Sequence, residues 1–281
     1  RGPDHFSITE AKNLTLGYVR LSIIDKQNGN QPIYNEDQSS LVYFNGEIYN
    51  SELLKHDLEK KGHVFKTDTD TEVIIHAYEE YGIDCLTILN GMFSFVIYDS
   101  IKKRIFISRD RIGIKPFYYY FKDNHFLFSS ELKSMLIYKE IKREINQESL
   151  SEYFTYRYTL AENTIVKDIK KLKPGHYLIY ENNEIRIRPY WNLKKKDIKK
   201  SNYIKDYYQL HTNSVKIRCQ TDLNVGLMIS GGIDSSSLLY QLDKFKDNIN
   251  TYTLGFEDYA HNEFKDAKIV SDHFFTNHKE I

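Results

Sequence analysis

The chain has 281 residues, enough for about two domains, and its 39 lysines and arginines balance 39 aspartates and glutamates. Neutrality removes the electrostatic footprint of a nucleic-acid binder, no apolar run approaches the roughly 20 residues of a membrane span, and the start does not resemble a signal peptide. Two distant cysteines, Cys85 and Cys219, with no CxxC or HExxH pattern, point to reduced cytosolic thiols and to no recognisable zinc site.

The chain opens with Arg1 in RGPDHFS rather than with methionine, which suggests trimming or removal of an upstream piece. Residues 14–50 read as three short strands, LTLGYVRLSIID, QPIY and SLVYFNGEIYN, with turns at Asn28-Gly29 and over 35–40. Asn45-Gly46 interrupts the third and, on residue type alone, reads as a tight turn; its exposed N–H groups could also receive developing negative charge.

From Asn50 the period becomes helical. Asn50 or Ser51 caps a helix that Gly62 ends, and Asp70 or Thr71 caps a second that Gly82 ends, with Val73, Ile74, Ala77, Tyr78 and Tyr81 on one face. Strands return over 92–98, 104–108, 117–121 and 125–129, helical sequence over 131–138 and 148–156, and a final hairpin of HYLIY and EIRIR. Strand runs alternating with helix runs imply packed antiparallel sheets with helices outside.

The lysine-rich segment 192–202 reads as a linker. The expected domains are therefore 1–191 and 203–281, the second opening with a helix over 203–219. Its centre is VGLMISGGIDSSSLLYQL: an apolar strand, a polar turn, then a helix. Gly231 and Gly232 permit a sharp turn and close approach of an anion. Ser230, Ser235 and Ser236 add hydroxyl donors, and the helix aims free N–H groups and its positive end at the same point. A phosphate or pyrophosphate is the natural occupant. No lysine follows the glycines, so this is not the GxxxxGK[ST] loop. A strand over 250–256 and a helix over 263–274 continue a parallel α/β pattern, which the sequence leaves short of a full nucleotide-binding domain.

The SGGIDSS turn resembles the pyrophosphate loop of the ATP pyrophosphatases. RGPD, YVRLSIID, FNGEIYN, TDTDTEV, NGMFSFVIYD, SRDRIGIKPFYY and SSELKSML, with GLMISGGIDSS and TYTLGFED, resemble in order and spacing the glutamine-hydrolysing asparagine synthetases. That resemblance implies an N-terminal-nucleophile amidotransferase sandwich, two antiparallel sheets between helix layers, followed by a truncated α/β ATP-pyrophosphatase domain. It assigns Arg20, with Leu21, Ser22, Ile23 and Ile24, to the α-carboxylate side of glutamine. Asn45 and the N–H of Gly46 become an oxyanion hole, and Glu47 with Asp70 the acceptors of the α-ammonium. Taken alone, Arg20 reads as a surface charge and Asp70 as a helix cap. Met228 and Leu254 are assigned to adenosine, the loop from Ser230 to Ser236 to pyrophosphate, and Asp234 to Mg²⁺.

The implied reaction adenylates aspartate with ATP and delivers ammonia from glutamine, giving asparagine, glutamate, AMP and pyrophosphate. In that family an N-terminal cysteine attacks glutamine; it is absent from this sequence, and neither Cys85 nor Cys219 aligns with it. The chain as it stands is therefore expected not to hydrolyse glutamine by that route. Another carboxylate acceptor, such as a sugar uronate, is the alternative chemistry, and a non-catalytic glutamine- or nucleotide-binding regulator the alternative class. The expected setting is cytoplasmic, and family analogy alone suggests a homodimer.

Overall fold

The computed structural model describes residues 2–11, 14–23, 25, 28–195, 202–219, 223–256 and 262–281, and the chain divides into two compact units, Arg1–Lys195 and Lys196–Ile281. Along the first unit run β1 (His5–Ala11), β2 (Leu14–Arg20), β3 (Ile33–Tyr34), β4 (Ser40–Ile48), α1 (Ser51–Lys60), α2 (Asp70–Tyr81), α3 (Cys85–Ile88), β5 (Gly91–Asp99) and β6 (Arg104–Arg109). Then come β7 (Tyr118–Lys122), β8 (His125–Ser129), α4 (Leu132–Met135), α5 (Gln147–Tyr156), β9 (Lys170–Lys171), β10 (His176–Glu181) and β11 (Glu184–Pro189).

A large antiparallel sheet, β11-β10-β6-β5-β4-β3, divides two cores. Successive side chains on a strand point to opposite faces. Val42, Phe44 and Ile48 of β4, with Phe93 and Phe95 of β5, therefore meet α1 and α2 on one side. The intervening Leu41 and Tyr43 pack against Leu16 of β2 on the other, where Val96, Ile105 and Ile107 meet Phe117 and Tyr119. The same alternation directs Asn45 and Glu47 away from the helices and into the space between sheets.

That opposing layer comes in two pieces, the hairpin β1–β2 and the three-stranded β8-β7-β9. Residues of α4 pack beyond it, Leu132 and Met135 against Tyr120. The order of layers is the expected one, helix, sheet, sheet, helix.

Three local expectations need correction. Asn45-Gly46 is no turn: β4 runs straight through it, paired Asn45 to Ser94 and Gly46 to Phe93. A Cβ on Gly46 would run into the Met92 carbonyl oxygen and come within 2.8 Å of Phe93 Cα, so glycine is there because β5 is close. Asp70 does not cap α2; Thr69 holds the cap position, and the Asp70 carboxylate accepts the Ile48 N–H at 2.8 Å. The helix expected over 131–138 shrinks to α4. Strands β1 and β9 were not anticipated.

In the second unit, α6 (Tyr203–Arg218), β12 (Gly226–Met228), α7 (Ile233–Leu242), β13 (Asn250–Thr253), α8 (Phe264–His273) and β14 (Asn277–Glu280) build a parallel sheet in the order β12-β13-β14. Val215, Ile229, Leu239, Leu242, Ile249 and Ala267 form its core. The apolar strand is only half buried: Ile229 lies in this core, while Met228, on the alternate face, is 57% exposed. Strand β14 was also not anticipated from sequence.

Candidate functional site

A cleft of about 1240 Å³ opens in the first unit, lined by residues of β2, β4, the start of α2 and β8. Arg20, Leu21, Ile23, Asn45, Gly46, Glu47 and Asp70 all line it. Ser22 is not among the lining residues; its N–H donates to Asp4 Oδ2 at 2.7 Å and ties the segment after β2 to the start of the chain. Ile24 lies outside the described residues.

The open edge of β4 defines the chemistry. β3 pairs with β4 only at Leu41 and Val42, so the edge beyond is unpaired by strand. There Gln31 substitutes for a strand: its Oε1 accepts the Phe44 N–H at 2.7 Å and its Nε2 donates to the Phe44 carbonyl at 3.2 Å. Two turns of the pleat further on, Asp70 accepts the Ile48 N–H. Alternating N–H groups of a strand point to the same side, so the Gly46 N–H faces this edge between the two. No protein acceptor meets it there among the described residues. A donor left open in this way is suited to an oxygen that gains negative charge.

Charge is arranged on either side of that donor. Arg20 is no surface charge: it is 4% exposed, and its guanidinium donates to Asn30 Oδ1 at 3.0 Å and to the Asp25 carbonyl at 2.9 Å. Burial pushes Asp70 up to about 7; the Ile48 N–H pulls it back, and the nearby Glu47 charge pushes it further. Burial likewise pushes the Tyr18 hydroxyl up to about 12, with the Arg20 charge lowering and the Asp70 charge raising it. The cleft thus holds a guanidinium and a pair of mutually repelling carboxylates, a pattern complementary to a zwitterion.

Sequence reasoning missed Tyr18, Gln31 and Ser94, which also line the cleft. Tyr18 and Ser94 read only as alternating strand residues, and the part played by Gln31 depends on a contact 13 positions away that no local pattern carries. Cys85 is unsuited to the cleft: it lies in the core against α2, and burial pushes its thiol up to about 12.

In that second unit the loop after β12 is closed by its own hydroxyls. Ser235 Oγ accepts the Ser230 N–H at 3.2 Å and lies 3.1 Å from Ser230 Oγ, while the Gly232 N–H donates to Ser230 Oγ at 3.3 Å. Gly231 has φ +78°, and a Cβ there would sit 2.5 Å from Asp266 Cβ, so only glycine fits. Gly232 occupies the cap position of α7, which has no side-chain cap, leaving the first-turn N–H groups open. Asp234, in that first turn, and Ser236 follow it on the helix. Met228 and Leu254 are 57% and 56% exposed at the carboxyl ends of the neighbouring parallel strands β12 and β13, where open α/β sheets bind ligands. The donor set fits an anionic phosphate chain.

An antiparallel layered unit whose cleft is lined by a guanidinium and two carboxylates is followed by an α/β unit with an uncapped serine–glycine loop. Residues 1–191 match the family of glutamine amidotransferase domains and residues 206–281 that of asparagine synthase. The chain is 34% identical over 271 residues to asparagine synthetase (glutamine-hydrolyzing) 1 of Bacillus subtilis, covering 95% of this chain and 43% of that protein. It is 35% identical over 300 residues to asparagine synthetase (glutamine-hydrolyzing) 2 of the same organism, covering 100% and 40%. It is also 33% identical over 246 residues to amidase chyE of Penicillium rubens, covering 85% and 36%. The chain belongs to the glutamine-hydrolysing asparagine synthetase family, and it spans less than half the length of each of these relatives.

Proposed function

We propose that this chain supplies the glutamine site and the ATP loop of a glutamine-hydrolysing asparagine synthase, a carbon–nitrogen ligase. The observation that carries the reading is the open edge of β4, where the Gly46 N–H lies between Gln31 and Asp70 in the cleft that Arg20 and Glu47 also line. Arg20 takes the α-carboxylate of glutamine, for which a guanidinium is suited, with Leu21, Ser22 and Ile23 flanking it. Glu47 and Asp70 take the α-ammonium, whose charge relieves their mutual repulsion. The side-chain carbonyl then lies toward Asn45 and the Gly46 N–H. When a thiolate adds to that carbon, the carbonyl electron pair moves onto oxygen, where these donors stabilise it; its return, with a proton taken up by the leaving nitrogen, expels ammonia and leaves a thioester for water to hydrolyse. Cys85, buried in the core against α2 and absent from the cleft lining, is not placed to be that thiolate.

ATP is the family's second substrate. Ser230, Gly231, Gly232, Ser235 and Ser236 hold its pyrophosphate, Met228 and Leu254 flank its adenosine, and Asp234 helps hold Mg²⁺, which neutralises the phosphate charge. Aspartate, adenylated at its side-chain carboxyl, accepts the ammonia. The boundary between the two activities lies in 192–202. Two free cysteines fit a reducing, cytoplasmic setting, and no helix among the described residues is long and apolar enough to cross a membrane.

The likeness to amidase chyE supports a second reading with the same two sites and a different carboxylate acceptor. Labelled ATP, glutamine and candidate acceptors incubated with the natural protein distinguish them. Aspartate-dependent AMP and pyrophosphate support the first reading, and release stimulated by a uronate but not by aspartate supports the second. ADP in place of AMP would refute both.

A further inference from the structure

We propose that Glu36, His63, His76 and Glu79 form a binding site for a divalent transition-metal ion of the zinc class, on the helical side of the first unit. None of the four lines the cleft. Glu36 comes from the β3–β4 connection, His63 from the segment after α1, and His76 and Glu79 from one face of α2. One ligating atom from each lies within 4.8 Å of every other.

The separations suit a tetrahedral ion. Donors held at about 2.0–2.1 Å around such an ion stand about 3.3 Å apart. Here His63 Nδ1 is 3.2 Å from Glu36 Oε1 and 3.8 Å from Glu79 Oε2, and His76 Nδ1 is 3.4 Å from Glu36 Oε2 and 2.9 Å from Glu79 Oε2.

A carboxylate also stands near the outer nitrogen of each imidazole, beyond hydrogen-bond distance. His76 Nε2 lies 3.5 Å from Glu72 Oε1, and His63 Nε2 lies 3.6 Å from Glu80 Oε2. With an ion bound at Nδ1, a small shift of either carboxylate would let it accept the outer N–H, the arrangement found behind metal-bound histidines. Glu72 is fixed in turn by the Lys66 and Thr67 N–H groups at 2.8 and 2.7 Å, and Glu80 by Lys61 at 2.6 Å. His76 is 1% exposed, and Nε2 is one of the buried polar atoms without a hydrogen bond in the first unit.

Two imidazole nitrogens and two carboxylate oxygens select a zinc-like ion over magnesium, which favours six oxygens. Glu36 and Glu79 reach solvent and give the ion a way in. The ligands stand at 36, 63, 76 and 79, a spacing that matches no linear metal motif, so the sequence gives no hint of them. A bound ion would fasten two connections to α2, the helix whose first residue is Asp70.

The test titrates metal-free full chain with Co²⁺ and then Zn²⁺, following visible absorption, retained metal and melting temperature. The expected result is a single Co²⁺ ion in a tetrahedral spectrum, displaced by Zn²⁺, with a raised melting temperature. His63→Ala and Glu79→Gln should abolish the spectrum, and Glu80→Gln, at a partly exposed position, should weaken binding roughly tenfold. Absence of retained metal and of any thermal shift overturns the site, as does an affinity unchanged in all three variants. The readouts are independent of glutamine or ATP chemistry.

Discussion

The backbone N–H of Ile48 donates to Asp70 Oδ2 at 2.8 Å, joining the last residue of β4 to the first residue of α2. This bond fixes where a buried carboxylate stands relative to the open edge of β4.

Asp70 should make stability depend on pH. Its folded pKa is raised from 3.8 to about 7, so the folded state holds a proton that the unfolded state has lost. Its contribution is complete below the unfolded value and is lost as pH rises through about 7. Asp70→Asn keeps an acceptor for Ile48 without the charge. The variant should unfold at higher urea than the parent at pH 8, by about 2–4 kcal/mol, with the gap closing toward pH 4. Glutamine binding should move the opposite way, weaker in the variant above pH 7. A pH-independent gap would mean that Asp70 is not the titrating group.

Arg20→Gln removes the guanidinium assigned to the α-carboxylate. A charged hydrogen bond contributes about 1.5–3 kcal/mol, so calorimetry should find glutamine bound roughly 10–100-fold more weakly. Because Arg20 also holds Asn30 and Asp25, the melt of each variant is recorded alongside. Unchanged affinity in a folded variant would remove Arg20 from the site.

Two glycines give a matched pair. Gly46→Ala drives a methyl into the Met92 carbonyl and should cost about 1–3 kcal/mol, with hydrogen exchange at β4 and β5 rising first. At Gly17 nothing lies within 4 Å of an added Cβ, so Gly17→Ala should be neutral within about 0.5 kcal/mol. Equal effects would contradict the close approach of β5.

The loop of the second unit separates folding from binding. Gly231→Ala meets both a positive φ and the Asp266 backbone and should lower the stability of this unit by about 1–3 kcal/mol. Gly232→Ala, whose added Cβ meets only Ser230 Oγ at 3.3 Å, should fold normally and still bind ATP or pyrophosphate more weakly, because the methyl enters the space above the uncapped N–H groups. Normal pyrophosphate binding by Gly232→Ala would place the phosphates elsewhere.

The positions of α1 and α2 were legible because helical periodicity, a polar start and a glycine stop are all local signals; Gly82, for instance, ends α2 with its N–H on the Tyr78 carbonyl. The hairpin of β10 and β11 was legible for the same reason, since Asn182 and Asn183 accept the positive φ of a two-residue turn. By contrast β9 is two residues long and takes its strand form from pairing with β7, and α4 is only one turn, its Leu132 and Met135 packed in one cluster with Tyr120 and Leu127.

What the linear order of residues determined by itself was most of the succession of elements, the serine–glycine turn from Ser230 to Ser236, and the polar groups that the family motifs carry. Which of those groups share one cleft was decided only when β4, β5 and α2 packed together. Residue type cannot distinguish an Asn-Gly turn from an Asn-Gly strand, nor a capping aspartate from one that reaches across to Ile48. Those choices depend on what lies opposite, and the partners stand 22 and 47 positions away in the chain at Asp70 and Phe93.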